Sequence, residues 1–249
     1  LYASLRASAR VHRIDYIPGA ADLGDFDATS TTIALAPGRE ATELPRDLLL
    51  PTFERYWREH SGRQDGTRAW DAYTPYELRV VGTFVRLGWR QRAAELLAFF
   101  FSHRRPEGWN QWAEVVGRQL REPRFIGDMP HAWVASDYIR SALDMFAYAR
   151  ETDQTMVLAA GVPPAWLDGS GFSVRGLRTP YGPLSFSVSR AGKRVLFQVS
   201  GRAPPGGFAV PWPFDGPPGR ATVNGAPVAW KNGELRFSRL PARVVIERP

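Results

Sequence analysis

Near Glu151 the spacing of apolar residues changes period, and this constrains the chain more than any other feature. Before it, apolar residues recur three and four apart, as on one face of a helix. After it, short β-rich runs alternate with turn residues: residues 153–249 hold 13 Gly and 13 Pro, against 10 and 8 in the first 152. Periods of 3.6 and 2 cannot share one element. A helical portion over 1–152 and a β domain over 153–249 are therefore predicted, an α+β multidomain chain.

Local signals place the elements. Thr74-Pro75-Tyr76-Glu77 reads as a capping box with Pro at the first helical position, followed by the stripe Leu78, Val81, Val85 and a stop at Gly88. A second helix is predicted over 91–103, linked tightly enough to make an antiparallel hairpin with the first. Asp128 would cap a further helix running through Arg150, and shorter helices are predicted over 1–13, 28–36 and 50–60. Beyond them, eight short strands with turns at Arg190-Ala191-Gly192, Asn224-Gly225 and Asn232-Gly233 predict an antiparallel β-sandwich. Residues 202–220, rich in Pro and Gly, read as a long loop or edge crossing.

Composition excludes several classes. With 44% apolar and 23% charged residues the chain matches globular averages, which argues for a folded, soluble protein. It has no cysteine, so disulfides, thiolate metal sites and Cys nucleophiles are ruled out. The longest apolar run, Ala93–Phe101, contains Glu95 and is too short to span a bilayer; no membrane partner is expected. The opening residues carry no signal-peptide pattern and read as a cut within a helix, so the chain is expected to be part of something larger. Compartment and oligomeric state stay open.

The net charge of +7 raises the question of nucleic acid. Residues 1–152 are neutral overall, and the whole excess lies in 153–249. Its Arg residues are scattered along predicted strands with no run of three, which fits a solvated face better than a phosphate track. Nucleic acid is not the expected partner; anion or nucleic-acid binding by the basic β domain is the third-ranked reading.

The residues between the 91–103 and Asp128 helices carry the clearest chemical signal, because connections longer than about 15 residues are usually functional or disordered. This one reads Trp109-Asn110-Gln111-Trp112-Ala113-Glu114, then Gly127-Asp128-Met129-Pro130-His131-Ala132-Trp133. Indole faces stack on sugar rings, and carboxylates and amides take hydroxyls, so a carbohydrate pocket is expected here. Any one of the three Trp alone would more readily be core. Glycoside hydrolysis needs two carboxylates. The candidates are Asp25, Asp27, Glu77, Glu114 and Asp128; Asp27 and Asp128 can equally be helix caps, Glu77 a capping-box partner and Asp25 an exposed loop charge. Glu114 has no such structural alternative. The four His form no HExxH or HxH pair, so no metal site or cofactor is expected, and no GxSxG elbow, P-loop or GxGxxG motif follows a strand.

At these residues the chain resembles the six-hairpin glycosidase superfamily. The match lies in the order and pattern of Gly24-Asp25-Phe26-Asp27-Ala28-Thr29-Ser30-Thr31-Thr32, Tyr73-Thr74-Pro75-Tyr76-Glu77 and the two Trp-bearing stretches above. Gly176-Leu177-Arg178-Thr179-Pro180-Tyr181-Gly182-Pro183-Leu184 looks like the lead-in to the β domain of bacterial α-L-rhamnosidase-like enzymes. The resemblance implies a partial (α/α)6 helical-hairpin barrel followed by the β-sandwich, with the missing hairpins and the general acid upstream of Leu1. It also implies an inverting hydrolase acting on an oligosaccharide or glycan. Where that family carries Trp-Glu-Arg-Trp this chain has Asn110 in place of the Glu, so Glu114 becomes the expected base; of the family's Asn-His-Tyr only His131 is kept. Glu114 and Asp128 are thus the expected catalytic carboxylates. Trp109, Asn110, Trp112, His131, Trp133, Asp25, Asp27 and Glu77 are the expected sugar contacts. Asn110 also favours the alternative, a non-catalytic carbohydrate-binding or scaffold protein.

Overall fold

The computed structural model describes residues 1–119 and 124–248. Residues 120–123, within the long connection singled out above, lie outside that description. The chain divides into two compact units, Leu1–Ala142 and Leu143–Pro249.

The first unit holds α1 (Tyr2–His12), α2 (Ala28–Leu35), α3 (Arg46–Asp65), the short strand β1 (Ala72–Tyr73), α4 (Leu78–Arg86), α5 (Arg90–Phe101), β2 (Val116–Gly117) and most of α6 (Ala132–Phe146). Asp27 caps α2, its Oδ1 accepting the Ser30 N–H at 2.8 Å. Gly88, at φ 80°, ends α4, and α5 begins two residues later, giving the predicted hairpin. Its shared face buries Leu78, Val81, Phe84 and Val85 with Ala93, Leu96 and Phe100. The 74–77 capping box does not form: residues Pro75–Glu77 make a 3-10 turn with no side-chain cap. Glu77 is instead drawn into the protein by Tyr56 and Arg63.

The second unit opens with β3 (Ala147–Arg150) and β4 (Thr155–Leu158), and continues through β5 (Phe172–Thr179), β6 (Gly182–Ala191), β7 (Arg194–Gly201), β8 (Phe208–Pro211), β9 (Ala221–Val223), β10 (Ala226–Pro227), β11 (Glu234–Phe237) and β12 (Ala242–Glu247). Six strands form a sheet in the order β10-β9-β12-β7-β6-β5, and four form another in the order β11-β8-β4-β3. One apolar cluster joins them, with Leu184, Phe186, Phe197, Val199, Val244 and Ile246 from the larger sheet and Met156, Leu158, Phe208, Val210 and Leu235 from the smaller. Alternation along β6 and β7 puts every second side chain into this core. All pairings are antiparallel except β4 with β8, which run parallel, Met156 opposite Phe208.

Several expectations need correction. The helix expected through Arg150 stops at Phe146, because Ala147–Arg150 pairs as β3 with β4 across the turn at residues 151–154. Pairing with a sheet overrides a helical period once the partner strand is adjacent. The presumed loop 202–220 contains β8, buried through Phe208, Ala209 and Val210 and central in its sheet. The largest correction is to the fold class. Among the described residues there are six α-helices and twelve strands in three sheets, and no helical-hairpin barrel. Such a barrel needs successive hairpins laid side by side around an axis. Here α4 and α5 form one, α2 packs on α3 and α4, and after α5 the chain leaves helix for β2, which pairs back with β1 ahead of α4. The resemblance to six-hairpin glycosidases therefore does not extend to the fold: its motifs are short local sequences, which do not carry topology. Among the described residues no helix is long and apolar enough to cross a membrane.

Candidate functional site

Backbone hydrogen bonds tie residues 112–115 to residues 126–131, and this ladder builds the site. The Val115 N–H donates to the Ile126 carbonyl at 2.9 Å, the Glu114 N–H to the Asp128 carbonyl at 3.1 Å, and the His131 N–H to the Trp112 carbonyl at 3.3 Å. These bonds bring Glu114, Asp128 and His131 together although they span 18 residues. Each can offer one ligand atom, and the three atoms lie within 4.8 Å of one another. Gly127 makes the approach possible. At φ 65°, it lies so near Glu114 that an added Cβ would stand 2.3 Å from Glu114 Oε2.

Around the cluster, His131 is buried and held by Tyr76, whose hydroxyl lies 2.5 Å from Nε2. Its Nδ1 stands 3.7 Å from Asp128 Oδ2. The Trp133 indole is exposed, with its ring 6.0 Å from His131 and 6.2 Å from Tyr76. Burial, then the Glu114 charge, raises the Tyr76 hydroxyl above its ordinary value, so the phenol stays protonated as a donor. Behind Tyr76, Arg79 stacks 5.0 Å from its ring and donates to Asp137 at 2.6 Å. Burial raises the Asp137 carboxyl in spite of the opposing Arg79.

The expected catalytic carboxylates and sugar contacts thus separate. Glu114, Asp128, His131 and Trp133 form one group. Trp109 is exposed and lines a cavity with Phe101, Arg104 and Met129. Asn110 sits at φ 52°, its Oδ1 accepting from Arg104 Nη1 at 2.8 Å. Trp112 is buried; its indole N–H donates to the Phe100 carbonyl at 2.8 Å and its ring stacks near Phe101 and Tyr138. Glu77 is buried, accepting from Tyr56 at 2.6 Å and from both Arg63 Nη atoms at 3.1 and 3.0 Å. Asp25 accepts the Ala20 N–H at 2.7 Å within its own turn, and Asp27 caps α2. Asp128 caps nothing, since α6 begins four residues later.

Tyr76 is the residue that sequence reasoning passed over, taking it only as the interior of a capping box; its partner lies 55 positions away and leaves no local mark. Two carboxylates and an imidazole are also a donor set for a divalent cation, although exposed acidic groups often meet without one. The absence of a paired-His motif gave no hint of this grouping, which arises from the ladder. Comparisons with protein-family models, with curated proteins and with solved structures find no match to this chain.

Proposed function

We propose that this chain acts on carbohydrate, with Glu114 and Asp128 as the carboxylate pair of a glycosidic-bond hydrolase. One observation carries the reading: two carboxylates and a buried imidazole converge within 4.8 Å beside the open face of the Trp133 indole. Such a face takes the apolar side of a sugar ring, while His131 and the carboxylates take its hydroxyls. We read the pair as retaining, in place of the inversion that the resemblance implied, because one oxygen of each carboxylate comes within 4.8 Å of the other. An inverting pair stands about 6.5–9.5 Å apart to admit water, and a retaining pair about 5–5.5 Å apart. Glu114, half-buried and tied into the ladder, attacks the anomeric carbon. Asp128, open to solvent, protonates the leaving oxygen and then draws the proton from the water that releases the glycosyl group.

The Asp128 side chain is 85% exposed, which favours a second reading, carbohydrate binding without turnover, since an open site does not exclude water from the reacting bond. Calorimetric titration against a glycan panel, run beside an assay for released reducing sugar and NMR of the first-formed anomer, separates the two. Turnover with retention, abolished in Glu114→Gln while binding persists, is the expected result. Binding without release selects the second reading, and undiminished hydrolysis by Glu114→Gln removes this pair from the chemistry.

A further inference from the structure

Beyond the C-terminal end of α5 the first unit contains a cavity of 830 Å³, within the usual size of a small-molecule site. Its walls include Phe101, Trp109, Ile126 and Met129, and three guanidiniums reach it, from Arg104, Arg105 and Arg124. Among the described residues no acidic side chain lines it.

The three arginines differ in how their charge is met. Arg124 is neutralised by a two-pronged pair with Asp71, at 3.0 and 2.5 Å. Arg104 meets only neutral acceptors, the Asn110 Oδ1 at 2.8 Å and the Phe101 carbonyl at 3.2 Å, and lies 4.8 Å over the Phe101 ring. Arg105 likewise donates to the carbonyls of Gly117 at 2.7 Å and Gln119 at 3.4 Å, and its buried Nε has no hydrogen-bond partner. These bonds fix the direction of both side chains without offsetting either charge. Elsewhere in this unit the half-buried Arg63 and Arg79 are paired with carboxylates. Two oriented cations beside two aromatic rings, in a cavity with no acidic lining among the described residues, call for an anion with a flat apolar body.

We propose that this cavity binds a small organic anion of the aryl carboxylate class, its carboxylate against Arg104 and Arg105 and its ring against Phe101 and Trp109. The site is separate from the proposed sugar site. Ala113, Val115 and Val116 line the cavity, while Glu114 is grouped with Asp128 and His131.

Calorimetric titration of the intact chain with 2-naphthoate and with its neutral counterpart 2-naphthalenemethanol tests this. The carboxylate is expected to bind about tenfold or more tightly than the alcohol, a charge-assisted contact being the only difference. Arg104→Gln and Arg105→Gln should each reduce naphthoate affinity toward that of the alcohol, and Trp109→Ala should weaken both ligands. Arg105 also holds the 117–119 backbone; if its variant does not fold, Arg104→Gln alone decides. Equal affinity for the two ligands, no binding of naphthoate, or naphthoate binding unchanged in Arg104→Gln overturns the proposal. None of these results depends on whether glycans bind at Glu114.

Discussion

The Tyr76 hydroxyl lies 2.5 Å from His131 Nε2, and this bond sets which nitrogen of the imidazole faces the two carboxylates. A hydroxyl on Nε2 aims Nδ1 at Asp128, as the second partner of a functional histidine commonly does. Tyr76→Phe keeps the ring packed near Trp133 and deletes only the oxygen. The expected outcome is a loss of about 1 kcal/mol of stability and a glycan affinity reduced about three- to tenfold. Long-range proton–nitrogen spectra should then show His131 in a changed tautomer balance. A purely structural Tyr76 would leave those spectra as they are.

Gly127→Ala separates backbone strain from displacement of Glu114. The substitution places a Cβ 2.3 Å from Glu114 Oε2 and 2.7 Å from its Cβ, at a left-handed φ of 65°. Gly176→Ala is the control: its φ is 60°, yet an added Cβ meets nothing within 4 Å. The control should cost about 1–2 kcal/mol from conformation alone. Gly127→Ala should cost more and lose glycan binding. Denaturant melts and calorimetry on both variants check this; equal costs with binding intact would show that Glu114 does not need its present position.

Glu77 illustrates a carboxylate whose work is structural. Its two oxygens take Tyr56 and both ends of the Arg63 fork, and both side chains of the ion pair are nearly buried, at 11% and 13% exposure. Burial lowers the Arg63 guanidinium, but the Glu77 charge and hydrogen bond, together with Tyr56 and Tyr73, outweigh this and the net shift is upward. Removing one partner leaves a buried charge without compensation, so Glu77→Ala should cost about 3–5 kcal/mol. Glu77→Leu combined with Arg63→Met should recover much of that loss. Urea melts supply the stabilities, and glycan titration of the double variant decides whether Glu77 also touches sugar: unchanged affinity assigns it to the core alone.

What was legible in the sequence follows the reach of each signal. Asp27 before α2, Gly88 after α4 and the Asn224-Gly225 and Asn232-Gly233 turns act over two to four residues, and each does what its chemistry predicts, both Asn-Gly pairs taking positive φ. Strand β3 and the parallel pairing of β8 with β4 depend on partners brought from elsewhere, and no local period encodes them. The barrel failed for the same reason, since hairpin order is a property of the whole chain. In the site, the grouping of Glu114, Asp128 and His131 matches their place in one aromatic stretch, but the three indoles part company. Trp112 finds a carbonyl partner and becomes core, whereas Trp109 and Trp133 stay open. Hydrophobicity alone does not distinguish these fates.

Acid sensitivity should begin near neutrality and have a specific source. His60 is fully buried between Tyr56, Trp57, Phe99 and Phe100, and neither ring nitrogen makes a hydrogen bond. Burial, reinforced by the Arg63 charge, pushes it down to about 4, and His103 is likewise pushed down to about 4 by burial and then by the Arg105 charge. An unfolded histidine titrates near 6.5. Between these values the unfolded chain takes up protons that the folded chain refuses, so stability falls as pH drops from about 6.5 to about 4, by at most about 1.4 kcal/mol per pH unit for each histidine. Below that window both states are protonated and these two groups contribute no further loss. His60→Leu removes a buried polar ring without partners and should both stabilise the protein at pH 5 and flatten the slope over the window. Urea melts at half-unit pH steps test this: a slope unchanged in His60→Leu would mean that the imidazole takes up its proton alike in the folded and the unfolded chain.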